Sequence, residues 1–230
     1  MALITAETLL KLQQDGILKS TLSVKKDDIL TPSAREFLAN NQIEIKNSED
    51  FVTVYGLKTD KKPEQMTHLH GNFLVPKNHP RIILRGKLDS LESEVILAQI
   101  VAKEESMQKT IPQLEEIISL IRKIIRAEVK DEPLEMFTLA GLDENEIHEH
   151  SHHPSKYYGI RHFLPTHTHG KMVAVLNRLR TLTREVEIAA FNAFEDSYHC
   201  LTRTDIIMAL NRLSSMFWVM MFKTLKDEYK

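Results

Sequence analysis

The chain has 230 residues, 42% hydrophobic and 27% charged, with 30 Lys+Arg against 32 Asp+Glu, the balance of a protein that buries a core; disordered and collagen-like readings are excluded. A net charge of −2 leaves no electrostatic footprint for nucleic acid or an anionic membrane, so a phosphate site has to be local. Cys200 is the one cysteine, which excludes an intramolecular disulfide, a zinc ribbon and a cysteine-ligated cluster.

No leader with a basic start and an apolar run is visible, and nowhere do ~18 apolar residues run uninterrupted, which predicts a cytoplasmic protein with no membrane span. Thr5 is placed to cap a short helix through Leu12. Thr31, Pro32 and Glu36 open another through Leu38, with proline at the first helical position. Ile43–Ile45 and Phe51–Val54, either side of the polar Asn47–Asp50, predict a small hairpin. Residues 1–60 therefore read as an α/β appendage, 61–79 as a linker, and 80–230 as the main body. No internal sequence repeat is evident.

After Pro80 the apolar period becomes helical. Leu84, Leu88, Leu91, Val95, Ala98 and Ala102 form one stripe, and Leu114, Ile117, Ile118, Ile121, Ile124 and Ile125 a second. Met172, Val175, Leu176, Leu179, Val186 and Ala190 form a third; Ile206, Leu210, Leu213, Phe217, Met220 and Met221 a fourth. Four long helices that must bury four faces predict a mainly α protein built as a helical bundle. Asp131–His169, between the second and third stripes, is rich in Pro, Gly and His and long enough to carry function.

Beside the third stripe, Asn177, Arg180, Arg184, Glu187 and Phe191 share its rhythm, which places them at a bundle edge. Arginines there can fork onto phosphate oxygens, or form ordinary salt bridges on a solvated face. Arg81, Arg85, Gly86 and Asp89 open the first long helix; Asp89 is either a partner of Arg85 one turn away or an anchor for an arginine from another helix. Asn211, Arg212, Ser214 and Ser215 interrupt a helix crowded with Met, Phe and Trp218, marking a site or a polar core contact. The histidines His148, His150, His152, His153, His162, His167 and His169 include one Glu-x-x-His pair, Glu149 with His152. A dimetal carboxylate site needs two such pairs on long helices, so structural or solvated histidines are favoured.

These motifs resemble ATP:corrinoid adenosyltransferases: Arg81-Ile-Ile-Leu-Arg85-Gly86-Lys87-Leu88-Asp89-Ser90-Leu91, Phe163-Leu164-Pro165, Arg180-x-x-x-Arg184-x-x-Glu187 and Asn211-Arg212-Leu213-Ser214. Leu30-Thr31-Pro32-Ser33-Ala34-Arg35-Glu36 and His148-x-x-x-His152-x-Pro154 are most similar to the ethanolamine-utilisation branch, and the likeness covers nearly the whole chain. It implies a five-helix bundle, typically a homotrimer with nucleotide and corrinoid at subunit interfaces. It also implies transfer of the 5′-deoxyadenosyl group of ATP, with Mg²⁺, onto the cobalt of cob(I)alamin. Arg180, Arg184 and Glu187 are then the phosphate-binding helix, Asp89 braces Arg184, Asn211 and Arg212 contact the nucleotide, and Phe163 lies beside cobalt. Arg85 and Lys77 are further candidates, Lys77 standing in for the Thr/Gly/Lys-rich loop that this chain lacks.

The chain departs from the pattern at Glu185, where an arginine is usual, and at Ile188, where a cation is usual. His68, His70 and His79 occupy the stretch where some ethanolamine-type members bind a metal with cysteines, and no cysteine is near, so no protein-held metal is expected. The implied partners are ATP, corrinoid, a second copy of the chain, and a reductase, ethanolamine ammonia-lyase or a bacterial microcompartment. Two readings from other classes stand against this one: a metal-binding helical protein without catalysis, and an adaptor docking through residues 1–60.

Overall fold

The computed structural model describes residues 3–15, 17–25, 28–48 and 51–229, with backbone only at 23, 25 and 46–48. It divides into two compact units, Met1–Pro76 and Lys77–Lys230, and is mainly helical with small sheets.

The first unit holds a repeat. β1 (Leu3–Ile4), α1 (Ala6–Gln14) and β2 (Thr21–Lys25) are followed by β3 (Ile29–Leu30), α2 (Pro32–Asn40) and β4 (Glu44–Ser48). Each helix starts behind a threonine whose hydroxyl accepts the amide three residues on, Thr8 N to Thr5 Oγ1 at 3.3 Å and Ala34 N to Thr31 Oγ1 at 3.2 Å. This satisfies one of the unpaired donors at a helix start. Each helix also ends on the same backbone bond, Ile17 N to Leu12 O and Ile43 N to Leu38 O, both 2.9 Å. β1 pairs with β3 and β2 with β4, all in parallel, so each two-stranded sheet takes one strand from each half. Leu9, Leu18, Leu22, Val24, Ala34, Leu38 and Ile43 form the shared core. The two halves share Thr5 with Thr31, Leu12 with Leu38 and Ile17 with Ile43, each pair 26 residues apart, but most positions between them differ, so the repeat is hard to see in the sequence.

Two expectations change here. Ile43–Ile45 and Phe51–Val54 do not make a hairpin: β4 pairs with β2, while β5 (Phe51–Thr53) lies in a second sheet. Alternation marks a strand but does not choose its partner. The stretch expected as a linker is structured. β6 (Lys58–Thr59), β7 (Met66–His70) and β8 (Phe73–Pro76) join β5 in the order β6–β5–β8–β7, and bury Met66, Leu69, Leu74 and Val75. Short strands between charged turns have the composition of a linker.

In the second unit the four stripes become α3 (Pro80–Glu104), α4 (Thr110–Lys130), α7 (Lys171–Phe194) and α8 (Thr204–Leu225), with α5 (Glu144–His152) and α6 (Pro154–Tyr158) between α4 and α7. α3 packs on α4 and α7, α7 on α8, and α5 on α8. All of the stripe residues are buried except Ile125 and Val175, which are partly so. Each fully buried Leu or Ile contributes roughly 1.5–3 kcal/mol, so the stripes are the main stabilising term. α8 is long and apolar enough by composition to cross a bilayer, but 61% of its most apolar window is buried in the bundle, so it packs as the core helix.

A charged clasp closes one end of this bundle. The Glu128 side chain on α4 is 0% exposed and takes Arg81 Nε on one oxygen and Arg85 Nε on the other, both at 2.5 Å. Arg203, before α8, donates to the carbonyls of Ala127 at 3.3 Å and Glu132 at 2.8 Å, and pairs with Asp205. The guanidinium groups of Arg81 and Arg203 lie 5.9 and 5.8 Å from the Phe194 ring centroid. A buried carboxylate is tolerated only when paired in this way.

Candidate active site

A cleft of about 710 Å³ opens among α5, α7, α8 and the segment after α6. The heptad-like spacing of α7 puts Arg180, Arg184 and Glu187 on one wall, and that of α8 puts Asn211, Ser214, Ser215 and Trp218 on another. His148 and His152, one turn apart on α5, and His162, Phe163, Leu164 and Pro165 complete it. α5 is fixed by a capping box: Asp143 accepts from Asn145 N and Glu146 N, and Glu146 accepts from Asp143 N.

The polar half holds two separate hydrogen-bonded groups. Asn211 Nδ2 donates to Glu187 Oε1 at 3.1 Å, Arg212 Nη1 donates to Asn211 Oδ1 at 2.8 Å, and Arg180 donates from Nε and Nη2 to Asn177 Oδ1 at 3.2 Å. Among the described residues neither Arg180 nor Arg184 makes an ion pair with a carboxylate. Burial, and then the neighbouring charge of Arg184, hold the Arg180 pKa below its ordinary value. A partly buried Arg180 beside an exposed Arg184 puts two like charges together, which favours an incoming anion. Among the described residues the buried Arg212 Nε has no hydrogen-bond partner.

The apolar half is an aromatic cluster. Phe163 stacks on Trp218 with centroids 5.1 Å apart, meets Phe222 edge-on at 5.4 Å and His169 at 4.8 Å, and His162 lies parallel to Trp218 at 6.1 Å. The His148 and His152 rings are 4.2 Å apart. Desolvation, then His152 and Arg212, lower the His148 pKa, which keeps that ring neutral near pH 7.

Of the residues expected from sequence, the cleft gathers Arg180, Arg184, Glu187, Asn211 and Phe163, with Arg212 reaching it through Asn211. Three lie elsewhere. Arg85 is bound to Glu128 in the clasp, so its charge is engaged there. Asp89 is exposed on α3, and among the described residues no ion pair joins it to Arg184 within the chain. Lys77 is exposed at the start of the second unit. Glu185 pairs with Lys87 at 3.3 Å and Ile188 is 62% exposed, so neither adds a cation to the cleft.

Trp218 and Glu128 carry roles the sequence reading did not give them, although both had signals. Trp218 is seven residues after Asn211, on the same face of α8. Glu128 continues the apolar stripe of α4, seven residues after Ile121 and four after Ile124, where a carboxylate demands a buried cation.

Among the described residues no group of three His, Cys, Asp or Glu is arranged to hold a metal. His70 stacks on Phe73 at 5.3 Å, and His79 caps α3 by accepting from Arg81 N at 3.2 Å. In the histidine-rich segment, His150 Nδ1 is 2.7 Å from the Tyr158 hydroxyl and its ring stacks on Tyr157. The cleft thus pairs an anion-seeking edge with an aromatic wall.

Comparison with known proteins gives the family. The cobalamin adenosyltransferase family profile matches residues 57–224. The chain is 35% identical to the corrinoid adenosyltransferase EutT of Salmonella typhimurium, over 88% of this chain and 85% of that protein. It is also 35% identical to the corrinoid adenosyltransferase EutT of Escherichia coli K12, over 85% and 82% respectively. No solved structure is a significant match. On that profile match and those identities, the chain belongs to the cobalamin adenosyltransferase family.

Proposed function

We propose that this chain transfers the 5′-deoxyadenosyl group of ATP to cob(I)alamin, making adenosylcobalamin for ethanolamine breakdown. The observation that carries the reading is the meeting, in one cleft, of Arg180, Arg184, Glu187 and Asn211 with the Phe163–Trp218 wall. The cobalt(I) lone pair attacks the ribose C5′, the C5′–O bond breaks, and the phosphate chain departs with its electron pair. Arg180 and Arg184 hold the developing charge on the leaving group, where fixed cations cost no reorganisation. Phe163 takes the axial side of the corrin and excludes water or a lower ligand there, which favours four-coordinate Co(II) and eases its reduction.

Mg²⁺ would enter with the triphosphate, and among the described residues Glu187 is the one carboxylate lining the cleft that could meet it. Asn211 and Arg212 hold the nucleotide, and α5 is the fifth helix of the bundle. Arg85 and Lys77 remain weaker nucleotide candidates, Arg85 only by leaving Glu128.

Asp89 braces Arg184 from a neighbouring protomer in a homo-oligomer, with a trimer favoured. Ile83 on α3 and Ile188 on α7, 45% and 62% exposed, line one shallow groove and supply apolar surface for that contact. The protein works in the cytoplasm beside a reductase and ethanolamine ammonia-lyase, in or near a microcompartment.

Mixing the protein with ATP, Mg²⁺ and chemically reduced cobalamin is expected to give the light-sensitive spectrum of an alkylcobalamin. An unchanged cobalamin spectrum, with the protein folded and the reductant active, overturns the reading.

A further inference from the structure

Trp218 is the only tryptophan in the chain, and its ring contacts both halves of the cleft. The guanidinium carbon of Arg180 lies 5.5 Å from its centroid. Phe163 stacks against it at 5.1 Å with planes 23° apart, and Phe222 braces it edge-on at 5.0 Å. The indole is therefore the material link between the cationic edge and the aromatic wall.

We infer that Trp218 is a positioning residue that couples the two substrates, so that nucleotide bound at Arg180 and Arg184 raises the affinity of the Phe163 side for the corrinoid. The inference rests on the adenosyl-transfer reading and adds to it the residue through which the two substrates are coupled. Among the described residues the one hydrogen-bond acceptor of Arg180 is the Asn177 side-chain carbonyl, and a like charge in Arg184 stands beside it. An anion lying between the two arginines offsets that repulsion and fixes the Arg180 guanidinium over the indole. A fixed indole then fixes Phe163, which presents a ready wall to the corrin ring, and preorganisation of this kind appears as affinity. Linkage makes the effect reciprocal: corrinoid tightens ATP by the same factor. A cation–π contact of this kind supports coupling of roughly three- to ten-fold.

The test uses cob(II)alamin without reductant, so that no transfer occurs, and ATP with Mg²⁺. Equilibrium dialysis gives the cob(II)alamin Kd with and without saturating nucleotide, and the emission of Trp218 is followed as ATP is added. In the wild type, nucleotide is expected to tighten cob(II)alamin by roughly three- to ten-fold and to change the emission. Trp218→Leu is expected to bring the ratio close to one, and Trp218→Phe, which keeps the stack on Phe163, to restore part of it. An undiminished ratio in Trp218→Leu overturns the inference. Where that variant does not fold, an undiminished ratio in Trp218→Phe, or an emission unchanged by ATP that dialysis shows to be bound, does the same. If the wild type binds neither ligand, the adenosyl-transfer reading itself fails, and the coupling with it.

Discussion

Glu128 and Arg85 meet at 2.5 Å where α3 and α4 come together, and the carboxylate sits at a position its helix otherwise reserves for isoleucine. Arg81 takes the other oxygen at the same distance. Cutting the carboxylate away takes their shared counter-charge from two guanidinium groups, each 18% exposed, and leaves Arg81 with the Glu128 carbonyl and a longer contact to Asp131. Glu128→Ala is expected to lose about 3–5 kcal/mol of unfolding free energy, read from urea denaturation followed by circular dichroism. A loss below about 1 kcal/mol, the range of a surface pair, would show that the clasp holds nothing together.

Arg184→Ala and Asp89→Ala are each expected to cut turnover severely, by roughly a hundred-fold or more, the first by removing the cation at the phosphates and the second by removing the carboxylate that braces it. Within one chain the two residues do not pair, so mixing the two variants after brief dissociation should rebuild intact sites. About a quarter of the interfaces in a random trimer would carry both wild-type residues, and activity should recover to about that fraction. Inactive mixtures of well-folded variants would mean that the pair does not cross the interface.

Three histidines bind the bundle less stably in acid. Desolvation, then Lys223, lowers the His150 pKa; burial, then Arg81 and Arg85, lowers that of His79; and His148 is lowered by desolvation, then His152. Below about 6.5, the ordinary value, the unfolded chain takes up protons that the folded chain resists. The unfolded state then binds more of them, and stability falls with pH through that window. The urea midpoint is expected to drop between pH 7.5 and 5.5, with a flatter slope in His150→Asn. Equal slopes in the two proteins would remove His150 from the account.

Phe163→Ala is expected to reduce the yield of four-coordinate Co(II) when ATP and cob(II)alamin are bound, because water gains the axial position. Magnetic circular dichroism or electron paramagnetic resonance reads that species directly. A variant that forms it as well as the wild type would move the task of excluding the ligand to another residue, with Trp218 the next to try.

The long helices were legible because a buried face demands a 3.6-residue period, and Leu84 to Ala102 or Ile206 to Met221 have no other use for one. Arg180, Arg184 and Glu187 were legible for the same reason, since they keep that period beside a buried stripe. What the sequence hides is choice of partner. Nothing in Ile43–Ile45 says that its strand will pair with Thr21–Lys25 rather than with Phe51–Thr53. Arg85 reads equally well as a ligand for phosphate or for a carboxylate until Glu128 is seen to be buried beside it. Asp89 and Arg184 show the remaining case: each side chain is placed by its own helix, and within the chain no ion pair joins them among the described residues.

The repeated halves of the first unit also set where the chain can be cut. Because Leu3–Ile4 lies against Ile29–Leu30 and Thr21–Lys25 against Glu44–Ser48, removing either half strips every strand of the other of its neighbour. A truncation that ends between them leaves a lone helix with two bare edges, prone to capture a strand from another molecule. Trimming the chain cleanly means keeping both copies or neither.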